Sequence, residues 1–399
     1  DLSMAGYFTL VAGFLLSISA PLPDKAVATI LHTVNGLFLL ASTLVIIPDL
    51  ELYRHWGYRI DATPLMYLRP EGFASAGTGK LILLTILWLI ITTGAVFFYR
   101  RFLVKSSTIE NRKFSTTLPL LAVSALLFIP IRSGFGVAPL NTGFVYYHRT
   151  LAFPNHAGIN PVWNFMRSVI YMDNLRYPEN LLDAPSAEKS YGELMVAPDS
   201  IQSFIHNQNP NILVVIMESF TSKIIGPLGG LPDVTPELNR WCTNGILFEN
   251  LYASGDRTDK GIISILSGYP AQPRTSIIKF PSKTRALPSW PRVMESMGYH
   301  PTFVYGGDSR FANMESYLVT CGFRHITQAE DFDPSITRSK WGVHDEHLFS
   351  RLLTECDTAM GPFFKVALTL SSHEPFDVPY GDLKPGATDE ELFLNSCRY

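Results

Sequence analysis

Apart from His32, no residue in Leu2–Leu22, Ala26–Pro48 or Leu81–Tyr99 can carry a charge. A bilayer core of ~30 Å takes about 20 helical residues, so each stretch reads as a membrane-spanning helix. Thr117–Ile131 is uncharged but shorter, and it reads as a fourth span or as a helix lying in the interface. The whole chain is 47% hydrophobic and 17% charged with mean hydropathy +0.14, too apolar for an ordinary soluble enzyme. That excess sits in the first third. Residues 1–131 are therefore expected to be a multi-span transmembrane α-helical domain.

Charge orients the spans. Between Arg100 and Thr116 lie Arg100, Arg101, Lys105, Arg112 and Lys113 against the single acid Glu110, the mark of a cytoplasmic loop. The next span leads outward, which puts everything after Arg132 outside the cytoplasm. Counting back, Asp1 also starts outside, so at least one more span is expected upstream. The loop Asp49–Gly79, with Tyr53, His55, Trp56, Tyr58, Arg59 and Tyr67, reads as an external aromatic-belt segment. No cleavable signal peptide is visible, and the chain looks cut at both ends.

A net charge of −3 gives no footprint for nucleic acid. Cys242, Cys321, Cys356 and Cys397 lie far apart without metal-type spacing and are expected to be unpaired. Residues 132–208 show no sustained period and read as a juxtamembrane linker, apart from a short helix at Asn164–Met172.

From Asn209 the pattern becomes that of an α/β domain. Strands are expected at 212–217, 246–252, 301–305 and 363–370. Helices are expected near 235–243 and at 259–267, 289–297, 311–320 and 345–356. The alternation predicts a mainly parallel sheet flanked by helices.

Ile212–Met217 is an unbroken apolar run rich in β-branched residues, the signature of a strand buried on both faces. It ends in Glu218, where the carboxyl end of a parallel strand meets solvent and open α/β sheets bind ligands. Thr258 follows Arg257 at the start of a helix, where the positive field favours an alkoxide or a phosphate. Singly, Glu218 reads as a solvated loop acid and Thr258 as an N-cap. Asp345, Glu346, His344 and His347 could mimic a metal cluster, but a solvated helix start is the better reading.

The order NILVVIMES, TPELNRW, FENLYASGDRTDKGIISILSGYP, TFVYGGDSRFANMESYL and FFKVALTLSSHEPF resembles the lipoteichoic acid synthase family. These are membrane-anchored phosphoglycerol transferases of the sulfatase branch of the alkaline phosphatase superfamily. The resemblance implies an alkaline phosphatase/sulfatase-like α/β domain over 209–399, truncated at its C-terminus. It makes Glu218 a metal ligand and Thr258 both metal ligand and nucleophile. His373 and Asp308 would bind substrate, with Arg257 and Asn313 as further substrate contacts.

The implied cofactor is a divalent metal, Mn²⁺ first, with Mg²⁺ or Zn²⁺ also suited to such ligands. The family's other ligands are an Asp-His pair, absent between His373 and Tyr399 and so expected beyond Tyr399. Ala312 and Met314 stand where the family carries a Trp and an Arg that grip phosphoglycerol. The implied partners are a membrane phospholipid donor, an envelope glycan or glycolipid acceptor, and the bilayer. The implied location is a bacterial cytoplasmic membrane, multi-pass, with the catalytic domain extracytoplasmic. The rival readings are a phosphodiesterase or sulfatase-type hydrolase, a phosphoethanolamine transferase, and a non-catalytic membrane protein. A usual sulfatase needs C/S-x-P-x-R, and here Lys260 and Ile262 stand in the Pro and Arg places.

Overall fold

The computed structural model describes all residues except 20, 67–77, 105–116, 173–181, 197–204, 206, 273–274 and 381–386. Tyr67 and most of the basic loop Arg100–Thr116 lie outside the described residues. The chain forms two compact units. The first joins residues 1–171 with Phe280–Ala286 and Arg310–Tyr317; the second holds Met172–Lys279, Leu287–Ser309 and Leu318–Tyr399. The division falls some forty residues beyond the expected end of the membrane domain, with residues 132–171 in the same unit as the apolar helices.

In the first unit, α1 (Leu2–Ile18), α2 (Asp24–Trp56), α3 (Thr78–Phe98), α4 (Thr117–Leu126) and α5 (Phe128–Arg132) follow the four apolar stretches. Among the described residues, α2 and the helix through residues 79–104 are long and apolar enough to cross a membrane; α1 and the α4–α5 segment are shorter. Small residues let α1 and α4 approach closely: a Cβ at Gly13 would stand 2.4 Å from Ser124 Oγ. Polar side chains tie α2 to the third helix, with Thr43 and Thr92 hydroxyls 3.0 Å apart and His32 Nδ1 2.8 Å from the Tyr99 hydroxyl. Further along come α6 (Ala152–Ala157) and α7 (Pro161–Met172). The latter begins three residues before the helix expected at Asn164.

The second unit is built on a four-stranded, wholly parallel sheet in the order β1-β4-β2-β3. Its strands are β1 (Ile212–Ile216), β2 (His300–Tyr305), β3 (His325–Thr327) and β4 (Phe363–Leu368). Around them lie α8 (Pro236–Asn244), α9 (Thr258–Ser267), α10 (Trp290–Ser296), α11 (Met314–Cys321), α12 (Asp345–Asp357) and α13 (Asp389–Arg398). Alternation along the strands sends Val304 and Ala367 to one face, where they pack on Leu348 and Leu352 of α12. On the other face Phe303, Phe323, Phe364 and Trp290 stack, with Trp290 and Phe364 centroids 4.9 Å apart. Burying the three phenylalanines is worth on the order of 1.5–3 kcal/mol each, while Trp290 keeps 37% of its surface exposed.

Two expectations fail here. β1 is an edge strand, not one buried on both faces: Leu213, Val215 and Met217 are 46%, 38% and 36% exposed. Residues 246–252 form no strand. A run rich in large apolar side chains becomes a strand only where a partner offers its ladder, and this one pairs with none among the described residues. Ile246, Phe248, Leu251 and Tyr252 are exposed.

Candidate active site

Glu218 lies two residues past the end of β1, on a backbone held from both sides by the segment that follows β4. Its N–H donates to Thr369 Oγ1 at 2.8 Å, and its carbonyl accepts from Ser372 Oγ at 2.5 Å. The parallel pairing of β1 with β4 brings these two strand ends together. The next residue, Ser219, sits at φ +58, a left-handed conformation costing about 1–3 kcal/mol in a non-glycine residue. Its hydroxyl donates to Glu218 Oε1 at 3.3 Å. The turn aims the carboxylate across the carboxyl edge of the sheet.

Thr258, expected as the N-cap, is instead the first residue of α9, and the N-cap is Arg257. Its hydroxyl donates to Glu218 Oε2 at 2.8 Å. Gly255 in the preceding loop has no room for a side chain: a Cβ there would stand 2.8 Å from Ala271 Cβ and 2.9 Å from Lys260 Cβ. Lys260, itself buried, donates to Asp256 Oδ1 at 2.7 Å, and this bond holds the Asp256 carboxyl below its ordinary pKa. Arg257 is exposed beside Thr258. The pair therefore presents an oxygen nucleophile, a hydrogen-bonded carboxylate and a helix N-terminus together.

Asp308 follows β2 after Gly306 and Gly307. The buried Tyr305 phenol packs against Gly307, where a Cβ would come within 2.6 Å of its hydroxyl. Burial first, and then the charges of Glu218, Asp308 and Asp345, push the Tyr305 pKa far up. Those three carboxylates thus share one electrostatic neighbourhood. His373 is half-buried in the turn after β4, next to Ser372. Its ring lies against Trp341, with centroids 4.3 Å apart.

Asn313, expected as a substrate contact, is not solvated. It belongs to the first unit and is 2% exposed, with Oδ1 accepting from Thr142 Oγ1 at 2.5 Å and from Gly143 N at 2.9 Å. Nor are His344 and Asp345 solvated. His344 is 1% exposed, and Asp345 accepts from the N–H groups of Leu370 and Ser371 at 2.9 and 3.0 Å. Burial raises the Asp345 carboxyl pKa, while those bonds oppose the rise. The acid is needed to satisfy the backbone leaving β4. Sequence reasoning passed over Thr369 and Trp341, because a Thr in a strand and a Trp in a loop look the same whether or not they brace a neighbour.

The oxygens of Glu218 and Thr258 are hard donors of the kind a divalent cation takes. They are two of the four or more such an ion needs, and no group of three or more His, Cys, Asp or Glu side chains gathers among the described residues.

Residues 210–391 match the sulfatase family. This matched segment, a little under half of the chain, is similar to that family. It is similar to a lipoteichoic acid synthase-like protein of Bacillus subtilis, 21% identical over 204 residues, covering 50% of this chain and 33% of that protein. It is also similar to lipoteichoic acid synthase 2 of Bacillus subtilis, 24% identical over 48% of this chain and 31% of the relative. Phosphoglycerol transferase I of Citrobacter koseri is 27% identical over 36% of this chain and 20% of its own length. The chain thus spans a third or less of these relatives. Among solved structures, an alkaline phosphatase superfamily protein from Vibrio parahaemolyticus aligns with TM-score 0.45 and 27% identity, over 49% of this chain and 48% of that one. The matched segment contains Glu218, Thr258, Asp308 and His373 alike.

Proposed function

We propose that the protein is a membrane-anchored transferase that moves a phospho-head group from a membrane lipid to an envelope glycan or glycolipid. The observation that carries this reading is the hydrogen bond from Thr258 Oγ1 to Glu218 Oε2 at the carboxyl edge of a parallel sheet. Relatives named as a phosphoglycerol transferase and a lipoteichoic acid synthase support the reaction class.

In the first displacement Thr258 Oγ1 bonds to phosphorus, the bond from phosphorus to the lipid alcohol breaks, and the threonine proton leaves with that alcohol. In the second, an acceptor hydroxyl oxygen replaces Thr258 Oγ1, which recovers a proton from the acceptor. Glu218 holds the Thr258 hydroxyl in line, the helix N-terminus favours the anionic adduct, and Arg257 offers charge to the phosphate. A divalent cation held by Glu218 and Thr258, Mn²⁺ by resemblance, would supply Lewis-acid activation of the hydroxyl. His373 and Asp308 line the substrate side.

The two long apolar helices would anchor the protein in a bacterial cytoplasmic membrane as part of a multi-pass domain. That keeps the extracytoplasmic site at high effective concentration of its lipid donor. Intact-mass spectrometry of the full chain after incubation with phospholipid vesicles tests the reading. A head-group adduct on Thr258, absent from Thr258→Ala, is expected; turnover with no adduct in quenched samples points instead to water attacking directly.

A further inference from the structure

We propose that Trp341 is the positioning residue for His373, holding it in the one tautomer whose Nε2 lone pair faces substrate. The inference rests on the reading of His373 as a substrate-side group. Both rings are tied to a single atom, the carbonyl oxygen of Glu374. That oxygen accepts from Trp341 Nε1 at 2.7 Å and from His373 Nδ1 at 2.9 Å. A carbonyl oxygen only accepts and has two lone pairs, so both nitrogens carry their protons and the acceptor is saturated. The neutral imidazole then has its lone pair on Nε2, which has no partner among the described residues.

The stack fixes the plane as well as the proton. Trp341 lies against His373 at 4.3 Å between centroids and 52° between planes, while Lys340 Nζ sits 5.5 Å from the centre of the indole. The His373 backbone is independently pinned, donating to Leu370 O at 2.9 Å and accepting from Phe376 N at 2.8 Å. What remains free in that turn is rotation of the imidazole. Trp341 removes that freedom by walling one side of the ring and orienting the carbonyl that takes its proton. An accepting Nε2 suits a hydroxyl-bearing substrate, the class to which an incoming glycan or glycerol acceptor belongs.

Nitrogen-15 spectra of histidine-labelled full-length protein in nanodiscs read the tautomer directly, with His373→Gln assigning the signal. In the parent, Nδ1–H is expected to dominate. In Trp341→Ala a mixture of both tautomers is expected, with kcat for transfer to a glycan acceptor falling roughly 10–100-fold and KM changing little. Trp341→Phe keeps the wall and loses the N–H, so an intermediate tautomer ratio and a smaller loss are expected. It also carries the test if the alanine variant does not fold. Unchanged His373 shifts in the substituted proteins overturn the inference whatever transfer does. Full-rate transfer by His373→Ala would instead sink the functional reading and leave the tautomer result standing.

Discussion

Thr258 donates its hydroxyl hydrogen to Glu218 across a sequence separation of 40 residues, at 2.8 Å. The two residues come from different elements, the exit of β1 and the first turn of α9. Their meeting is therefore a product of sheet topology and helix placement together.

Thr258→Ala is expected to lower transfer on the order of 10³-fold or more while leaving thermal stability nearly unchanged, since it deletes one half-exposed hydroxyl. Thr258→Ser keeps the oxygen but loses the branching that fixes χ1, and weak residual activity is expected. Turnover of a fluorescent phospholipid, read beside a melting curve, checks both. Wild-type turnover by Thr258→Ala would exclude covalent catalysis through this residue.

Thr369→Val removes the acceptor for the Glu218 N–H while keeping the shape of the side chain. An orphaned, partly buried donor costs about 1–3 kcal/mol, and the turn that aims Glu218 should loosen with it. A lower denaturation midpoint together with reduced transfer is expected. Full activity at reduced stability would mean that Glu218 does not depend on this bond.

The thiols should differ sharply in alkylation. Cys397 is buried, and burial raises its pKa to about 11, whereas Cys242 is half-exposed. At pH 8, three units below that value, about one Cys397 thiol in a thousand is ionised, so its reactivity should climb tenfold per pH unit until about pH 11. Mass-resolved labelling over time should show Cys242 modified first. Equal rates at the two positions would contradict the packing of α13.

The basic run Arg100–Thr116 predicts a cytoplasmic loop and an extracytoplasmic α/β domain from Asn209 onward. An impermeant maleimide on intact cells should label Met360→Cys, a fully exposed position, and spare Ser107→Cys, both in a background lacking the native cysteines. Labelling of the cytoplasmic position alone would reverse the orientation.

The sequence revealed the elements far better than it revealed their surroundings. α9, α12, β2 and β4 stand within a residue or two of their expected limits, since apolar periodicity and flanking glycines act locally. The reading of 246–252 failed because strand formation depends on a partner that local pattern does not report. Glu218 and Thr258 were legible as a strand-end acid and a helix-start hydroxyl, and their resemblance to a family joined them. Asn313 reads as a substrate contact because it is a polar residue after the pocket acid, and the structure shows its Oδ1 accepting from Thr142 and Gly143. His344 and Asp345 looked solvated because acids and histidines at a helix start usually are, and only the backbone N–H groups leaving β4, which it accepts from, show why Asp345 is half-buried.

The first unit's claim on Arg310–Tyr317 bears on how the protein can be dissected. Asn313 is satisfied by Thr142 and Gly143, and Glu315 pairs with Arg149 at 2.8 Å with 6% of its side chain exposed. A fragment beginning at Asn209 would retain the 310–317 segment and discard all three of those partners. Its purified form would carry a buried-type carboxylate and amide newly opened to water, so recombinant versions of this domain should begin upstream of Thr142 if they are to behave as the intact protein does.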